Sequence, residues 1–387
     1  MPMKWKYIHL IIFIGAVLGF SACSDSIDIP DEPEGNVAII YWIGDNNLGS
    51  FAESDINELI NGKDNIPAND KIVIYADKPN TKPIIYQLDA KNGLKVWREY
   101  TQEQDCTDSL TILNNLRDIV KNFPAKKYGL TFGSHGSGWV VHRRALGYDQ
   151  THSYNWLNVT TLRGVLEQLP HMSYIFFDVC FMQDIQVAYE LRKQTDWIIG
   201  SPAEIPAPGA PFHLITKALC ECNPSGIIDG YNDYYPVGNY TGTLLSAVDC
   251  SKLENLAAST SQHIKSYFAD RHTIGSGITQ NIQRYSTTFS ERYTYYYDMN
   301  STMHKILPEE DYNEWFKAFE MAVPIRKYNT GRWYSPSICN YPYLYDEEHF
   351  GGISMYFPQE GTEGEIKNND LKCYQWYKDT GWSETGW

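Results

Sequence analysis

Residues 37–43 read Val-Ala-Ile-Ile-Tyr-Trp-Ile. The run is apolar throughout and does not alternate, so neither of its sides faces water. That pattern belongs to a strand buried on both faces, as in a parallel sheet covered by helices. Working outward, Ala52, Ile56, Leu59 and Ile60 recur at helical spacing, and Ile72–Ala76 reads as the next strand. Leu110, Leu113, Leu116, Ile119 and Val120 line one helical face before a third strand at Tyr128–Phe132. Leu162, Val165, Leu166 and Leu169 form another stripe, which Pro170 ends. A fourth strand is expected at Tyr174–Phe177, a helix through Val187, Ala188 and Leu191, and a fifth strand at Trp197–Ile199. Strand–helix alternation of this kind predicts βαβ units, a mostly parallel sheet and helices on both faces.

After Pro211 the pattern loosens. Leu253, Leu256, Ala257, Ile264, Tyr267 and Phe268 predict one long helix, and Tyr312, Trp315, Phe316 and Phe319 another. Tyr-rich polar sequence separates them. Gly352–Phe357 alternates like a strand, stops at Pro358, and is expected to rejoin the main sheet. The division is thus a core over 37–230 and a mixed C-terminal region over 231–387.

The N-terminus reads as an address. Lys4 and Lys6 precede an apolar run from Leu10 to Phe20, too short for the roughly 20 residues that span a bilayer. Residues 1–22 are therefore expected to be a secretory signal. Phe20-Ser-Ala-Cys23 resembles a bacterial lipobox, which makes Cys23 the expected lipidation site and the membrane a partner through a lipid anchor. Residues 23–36 are acidic and Pro-containing, and read as a tether. An outer-membrane location facing the cell surface follows from that reading.

Composition excludes several classes. The chain has 387 residues and a formal charge of −15, which argues against a nucleic-acid partner. With 43% apolar and 20% charged residues it is a folded chain, not a disordered one. Its many aromatics read first as packing and second as a binding face. The cysteines show no zinc-ribbon spacing, and Cys220-Glu-Cys222 stands alone, so neither a structural metal nor a cofactor is expected.

In an open parallel sheet the active crevice lies beyond the carboxyl ends of the strands. Gly133-Ser-His-Gly-Ser-Gly-Trp139 follows the third strand, and Asp178-Val-Cys-Phe-Met182 follows the fourth. His135 and Cys180 are thereby placed at one sheet edge, on strands expected to be neighbours. A thiol becomes a useful nucleophile beside a base. The glycines let backbone approach a substrate, and N–H groups there, with that of Cys180, can stabilise an oxyanion. A helix starting just after Cys180 would lower the thiol pKa. Taken singly, Cys180 also reads as a small core residue and His135 as a turn residue. Their shared edge favours the chemical reading. The glycine turn lacks the forms that cradle phosphate.

These two blocks resemble the clostripain family of cysteine peptidases, which share the caspase-like fold. The family pattern at the nucleophile is Asp-Ala-Cys, from which Val179 departs. Ser201–Pro211 resembles the family's substrate-pocket segment, and Gly352–Pro358 its C-terminal strand. The resemblance implies a cysteine endopeptidase acting on protein or peptide substrates, with His135 as base, Cys180 as nucleophile, and Gly136 and Cys180 as oxyanion donors. Well-known members cut after Arg or Lys through acidic pocket groups. Asp178 matches one by position. Glu204 is the nearest candidate for a second, and Ser201 opens the same segment. Internal cleavage between Arg144 and Ala145 is the corresponding maturation site, with Arg143–Arg144 as the other candidate bond. Some members use calcium, but no EF-hand loop is present. The rival expectation is a non-catalytic surface lipoprotein that binds glycan or protein through its Tyr-rich C-terminal half.

Overall fold

In the computed structural model, β1 (Val37–Ile43) is buried along its whole length. Ile39, Tyr41 and Ile43 enter one hydrophobic core, and Ala38, Ile40 and Trp42 enter another on the opposite side. Two cores, one per face, are why the run does not alternate. The structure describes residues 33–140, 145–235, 242–269, 274, 276–285, 295–335 and 342–387.

In chain order there follow α1 (Gly49–Gly62), β2 (Lys71–Asp77), β3 (Ile84–Asp89), β4 (Gly93–Glu99), α2 (Ser109–Asn122), β5 (Tyr128–Gly133), β6 (Leu146–Asp149) and β7 (Asn155–Leu157). Next come α3 (Val159–Leu166), β8 (Met172–Asp178), α4 (Ile185–Leu191), β9 (Thr195–Gly200), α5 (Phe212–Cys220), α6 (Pro224–Tyr234), β10 (Leu244–Asp249) and α7 (Leu253–Tyr267). The last strands are β11 (Tyr297–Asp298), β12 (Ile325–Tyr328) and β13 (Ser354–Met355). Between β11 and β12 lie helices at Met299–Ile306 and Glu309–Ala322.

The main sheet has nine strands in the order β12-β10-β9-β8-β5-β1-β2-β3-β4. Its centre, β9 through β2, is parallel. Helices α1, α5 and α6 cover one face, and α2, α3, α4 and α7 the other. From β1 the chain first builds toward β2 and later toward β5, β8 and β9. The change of direction leaves a crevice beyond the carboxyl ends of the central strands. Local chemistry fixes the helix starts nearby. The Asp108 carboxylate accepts from Thr111 N at 2.9 Å to cap α2, and Asp184 accepts from Gln186 N at 2.9 Å to cap α4. Such caps are worth about 1 kcal/mol each.

The expected α/β architecture is present, with three differences. An antiparallel hairpin, β3–β4, extends one edge of the sheet. On the other edge β10 and β12 add antiparallel strands, so residues beyond 230 build part of the main sheet. The Gly352–Pro358 segment does not rejoin that sheet. Its strand β13 pairs with β11 in a separate two-stranded sheet, because β12 already occupies the β10 edge. It docks on the turn after β8 instead, with Ser354 N donating to Gln183 O at 2.9 Å and Ser246 Oγ donating to Gly352 O at 2.6 Å.

Candidate active site

β5 and β8 pair in parallel with Gly133 opposite Asp178. The next residues of both strands therefore emerge side by side, and the His135 turn packs against Cys180. A Cβ on Gly136 would lie 2.3 Å from Val179 Cγ1 and 3.1 Å from the Cys180 carbonyl oxygen. One on Gly138 would lie 2.5 Å from Phe181 O. Only glycine allows this approach, and Gly138 also has φ +65°. Phe181 is itself held at φ +61°, a costly backbone conformation for a large side chain. Its N–H donates to Ala203 O at 3.0 Å, and its ring stacks on Tyr296 with centroids 4.4 Å apart. Tyr296 OH in turn donates to Ser137 O at 2.7 Å, tying the two turns together.

His135 is half-buried and oriented by groups from two other elements. Its Nε2 donates to Asn47 Oδ1 at 2.7 Å, the same oxygen that accepts from Tyr148 OH at 3.0 Å. The Tyr148 ring stacks on the imidazole, with centroids 5.6 Å apart and planes 9° apart. With Nε2 donating, the proton-accepting lone pair is on Nδ1, at the other edge of the ring. Asn47 was not anticipated from the sequence. Its signal was the Asp45-Asn-Asn47 turn after β1, at the same sheet edge.

Gly136 lies opposite Leu146 in an antiparallel bridge. The bonds beside it run from Ser137 N to Ala145 O at 3.1 Å and from Gly147 N to His135 O at 2.7 Å. In that pattern Gly136's own N–H points away from the β6 ladder, as an oxyanion donor must.

Cys180 is half-buried, and its Sγ accepts from Ile205 N at 3.4 Å. Burial, with Glu204 and Asp178 behind it, pushes the thiol up to about 12 against that bond. The expected lowering by a helix does not occur, because α4 begins only at Ile185, capped by Asp184. A thiol in this state reacts by handing its proton to a base as it attacks.

Asp178 is buried on the opposite face from the His135 turn. Its Oδ2 accepts from Ala210 N at 2.9 Å and its Oδ1 from Tyr231 OH at 3.3 Å. Gly209 is pressed onto it, since a Cβ there would be 2.4 Å from Oδ2. Burial pushes its carboxyl up to about 7. Asp55 and Glu58 of α1 lie within electrostatic reach of it. Glu204 is buried and accepts from Ser335 Oγ. Ser201 is buried too, its Oγ accepting from Ala203 N at 3.1 Å within its own turn. Ala145 is buried directly before β6, whereas Arg143, Arg144 and Cys23 lie outside the described residues. All six cysteines among the described residues are free.

A parallel sheet with antiparallel edges, carrying a His turn and a Cys turn at neighbouring strand ends, is the arrangement of a caspase-like cysteine protease. The profile of the clostripain family matches residues 40–387, and the chain belongs to that family. It is similar to a secreted C11 cysteine protease from Bacteroides thetaiotaomicron solved with an irreversible peptide inhibitor, at 27% identity and a TM-score of 0.79, over 90% of this chain and 99% of that one. An inactive zymogen C11 protease from Parabacteroides distasonis is also 27% identical, with a TM-score of 0.76 over 89% of this chain and 97% of that one. A B. fragilis cysteine protease is 29% identical, with a TM-score of 0.56 over 62% of this chain and 99% of its own. Among curated proteins, none matches the chain.

Proposed function

We propose that this cysteine protease is an endopeptidase in which Cys180 is the nucleophile and His135 its base, cutting after Lys or Arg. The packing of the Gly136 turn onto the Cys180 carbonyl carries the dyad assignment. The Cys180 proton passes to His135 Nδ1 as Sγ bonds to the scissile carbonyl carbon. The oxyanion is met by the Gly136 and Cys180 N–H groups. Collapse breaks the C–N bond, with the imidazolium protonating the leaving amine, and water then hydrolyses the thioester through the same base.

The preference for a basic residue rests on charge. Among the described residues Asp178 accepts only from neutral donors, with Asp55 and Glu58 adding to the negative field on that face. A buried carboxylate without a counter-ion is costly, and a substrate ammonium or guanidinium would supply one. Cys180→Ala and His135→Ala should each abolish cleavage of a Lys/Arg peptide library while melting as the parent does. Near-parental turnover in either would refute the dyad, and equal cleavage after apolar residues would refute the preference.

Cleavage between Arg144 and Ala145 would leave β6 held on the His135 turn by the two backbone bonds described above, so both pieces would stay together. A fragment in the parent that is missing from Cys180→Ala, read by intact mass, supports it. Lipidation at Cys23 would place the enzyme on the outer membrane, and Cys23→Ser should then shift it out of the membrane fraction. Among the described residues no helix is long and apolar enough to cross a membrane.

A further inference from the structure

Away from the Cys180 crevice, a second group of reactive side chains gathers beyond β1 and β2. Asp77 ends β2, Asp149 ends β6, and Cys106 lies in the loop before α2. One carboxylate oxygen from each aspartate and the Cys106 sulfur all lie within 4.8 Å of one another, and all three residues are buried. Glu103, Asp149 and His152 form an overlapping trio within the same limit. Asp45 is buried beside them.

Most of these groups are explained by the loops they hold. Asp149 accepts from Cys106 N at 2.9 Å and from His152 N at 2.8 Å, and His152 bridges Asp149 and Glu103 at 3.1 Å each. Asp45 Oδ2 accepts from Thr151 N at 3.1 Å. Asp77 is different. It has 0% exposure, yet neither of its oxygens accepts from an N–H or O–H group among the described residues, and one of them faces the Cys106 thiol and Asp149. A fully buried carboxyl among other acids either keeps its proton or takes a positive charge, and a bound cation is the second solution.

The donor set says which kind. Hard cations such as calcium take oxygen ligands only, whereas a thiolate beside carboxylates and an imidazole suits a borderline ion of zinc type. We propose that Asp77, Cys106 and Asp149 bind a divalent transition-metal ion, zinc by donor chemistry, with Glu103 and His152 closing the site. The ligands come from positions far apart in sequence, so no spacing motif announces them. The ion would also brace the candidate base. Asp45 is two residues from Asn47, and Asp149 directly follows Tyr148, the two side chains that hold His135.

The test uses the full chain as Cys180→Ala, to remove the thiol of the candidate active site, stripped with a chelator and titrated with Zn²⁺ by calorimetry and with Co²⁺ by absorbance. Stoichiometric binding, a rise in melting temperature with Zn²⁺ and the near-ultraviolet band of a cobalt–thiolate bond are expected. Cys106→Ser should remove the band. Asp77→Asn should weaken binding by about 100-fold, while its metal-free form melts no lower than the parent. Absence of saturable binding at submillimolar metal would overturn the assignment. So would a cobalt band that survives Cys106→Ser, or stabilisation by Ca²⁺ equal in the parent and Cys106→Ser.

Discussion

Asn47→Ala tests whether the base is oriented from behind. The substitution removes the acceptor of the 2.7 Å bond from His135 Nε2 and of the 3.0 Å bond from Tyr148 OH. With a neutral imidazole such a bond is worth about 1 kcal/mol, and with the imidazolium formed during attack about 1.5–3 kcal/mol. The difference, roughly 0.5–2 kcal/mol, acts only in the transition state and corresponds to about 2–30-fold in kcat. KM should change little, since Asn47 touches the base and not the substrate. Tyr148→Phe keeps the ring stack and loses only the hydroxyl bond, so its effect should be smaller. Asn47→Asp should restore an acceptor and raise the pH at which activity falls off on the acid side, because a carboxylate favours the charged ring. Steady-state kinetics across pH read all three variants. An Asn47→Ala enzyme with parental kcat and an unchanged pH profile would refute the orienting role.

Gly136→Ala puts a Cβ 2.3 Å from Val179 Cγ1, so it should cost about 1–3 kcal/mol of stability and lower kcat as the turn is pushed off Cys180, seen by thermal melts and turnover together. Asp178→Asn should reduce kcat/KM for Lys and Arg substrates by roughly 30-fold or more, the lower end expected for a buried charge pair, with little loss for uncharged residues; parallel losses on all peptides would exclude a pairing role. Asp55 is pushed up to about 9 by burial and by the nearby Asp178 and Glu58 carboxylates. The native state therefore keeps a proton that the unfolded chain releases near pH 4, and this contribution to stability is lost as pH rises through that window, on the order of 1 kcal/mol per unit. Asp55→Asn should accordingly melt higher than the parent by a margin that grows from acid to neutral pH, and a constant margin would contradict this.

The parts of the fold legible in the sequence are those where one physical demand dominates. The central strands are covered on both faces, and runs such as Val37–Ile43 and Tyr174–Phe177 announce that directly. His135 and Cys180 could be placed because they sit at strand ends, where residue order alone sets position. The β3–β4 hairpin was missed because β4 is an edge strand with Lys95 and Val96 exposed, so its pattern is weak. Helix α6 was missed because Gly226 and Gly230 dilute its periodicity, although Asn223 caps it and Pro224 opens it. The state of the thiol and the Asp77–Cys106–Asp149 cluster depend on burial and on loops converging from distant positions. No local pattern encodes either.

The partial burial of Cys180 also governs its fate toward oxidants. Burial pushes the thiol up to about 12, so little of it is thiolate at neutral pH, and the thiolate is the form that peroxides and alkylating reagents attack. The resting thiol is therefore dormant toward indiscriminate chemistry. With the proposed dyad, its reactivity would appear when a ligand fills the crevice and His135 accepts the proton, so an electrophile shaped like a peptide should label the enzyme far faster than a small reagent of equal intrinsic reactivity. Such a protease stays intact toward small oxidants and electrophiles until a substrate arrives.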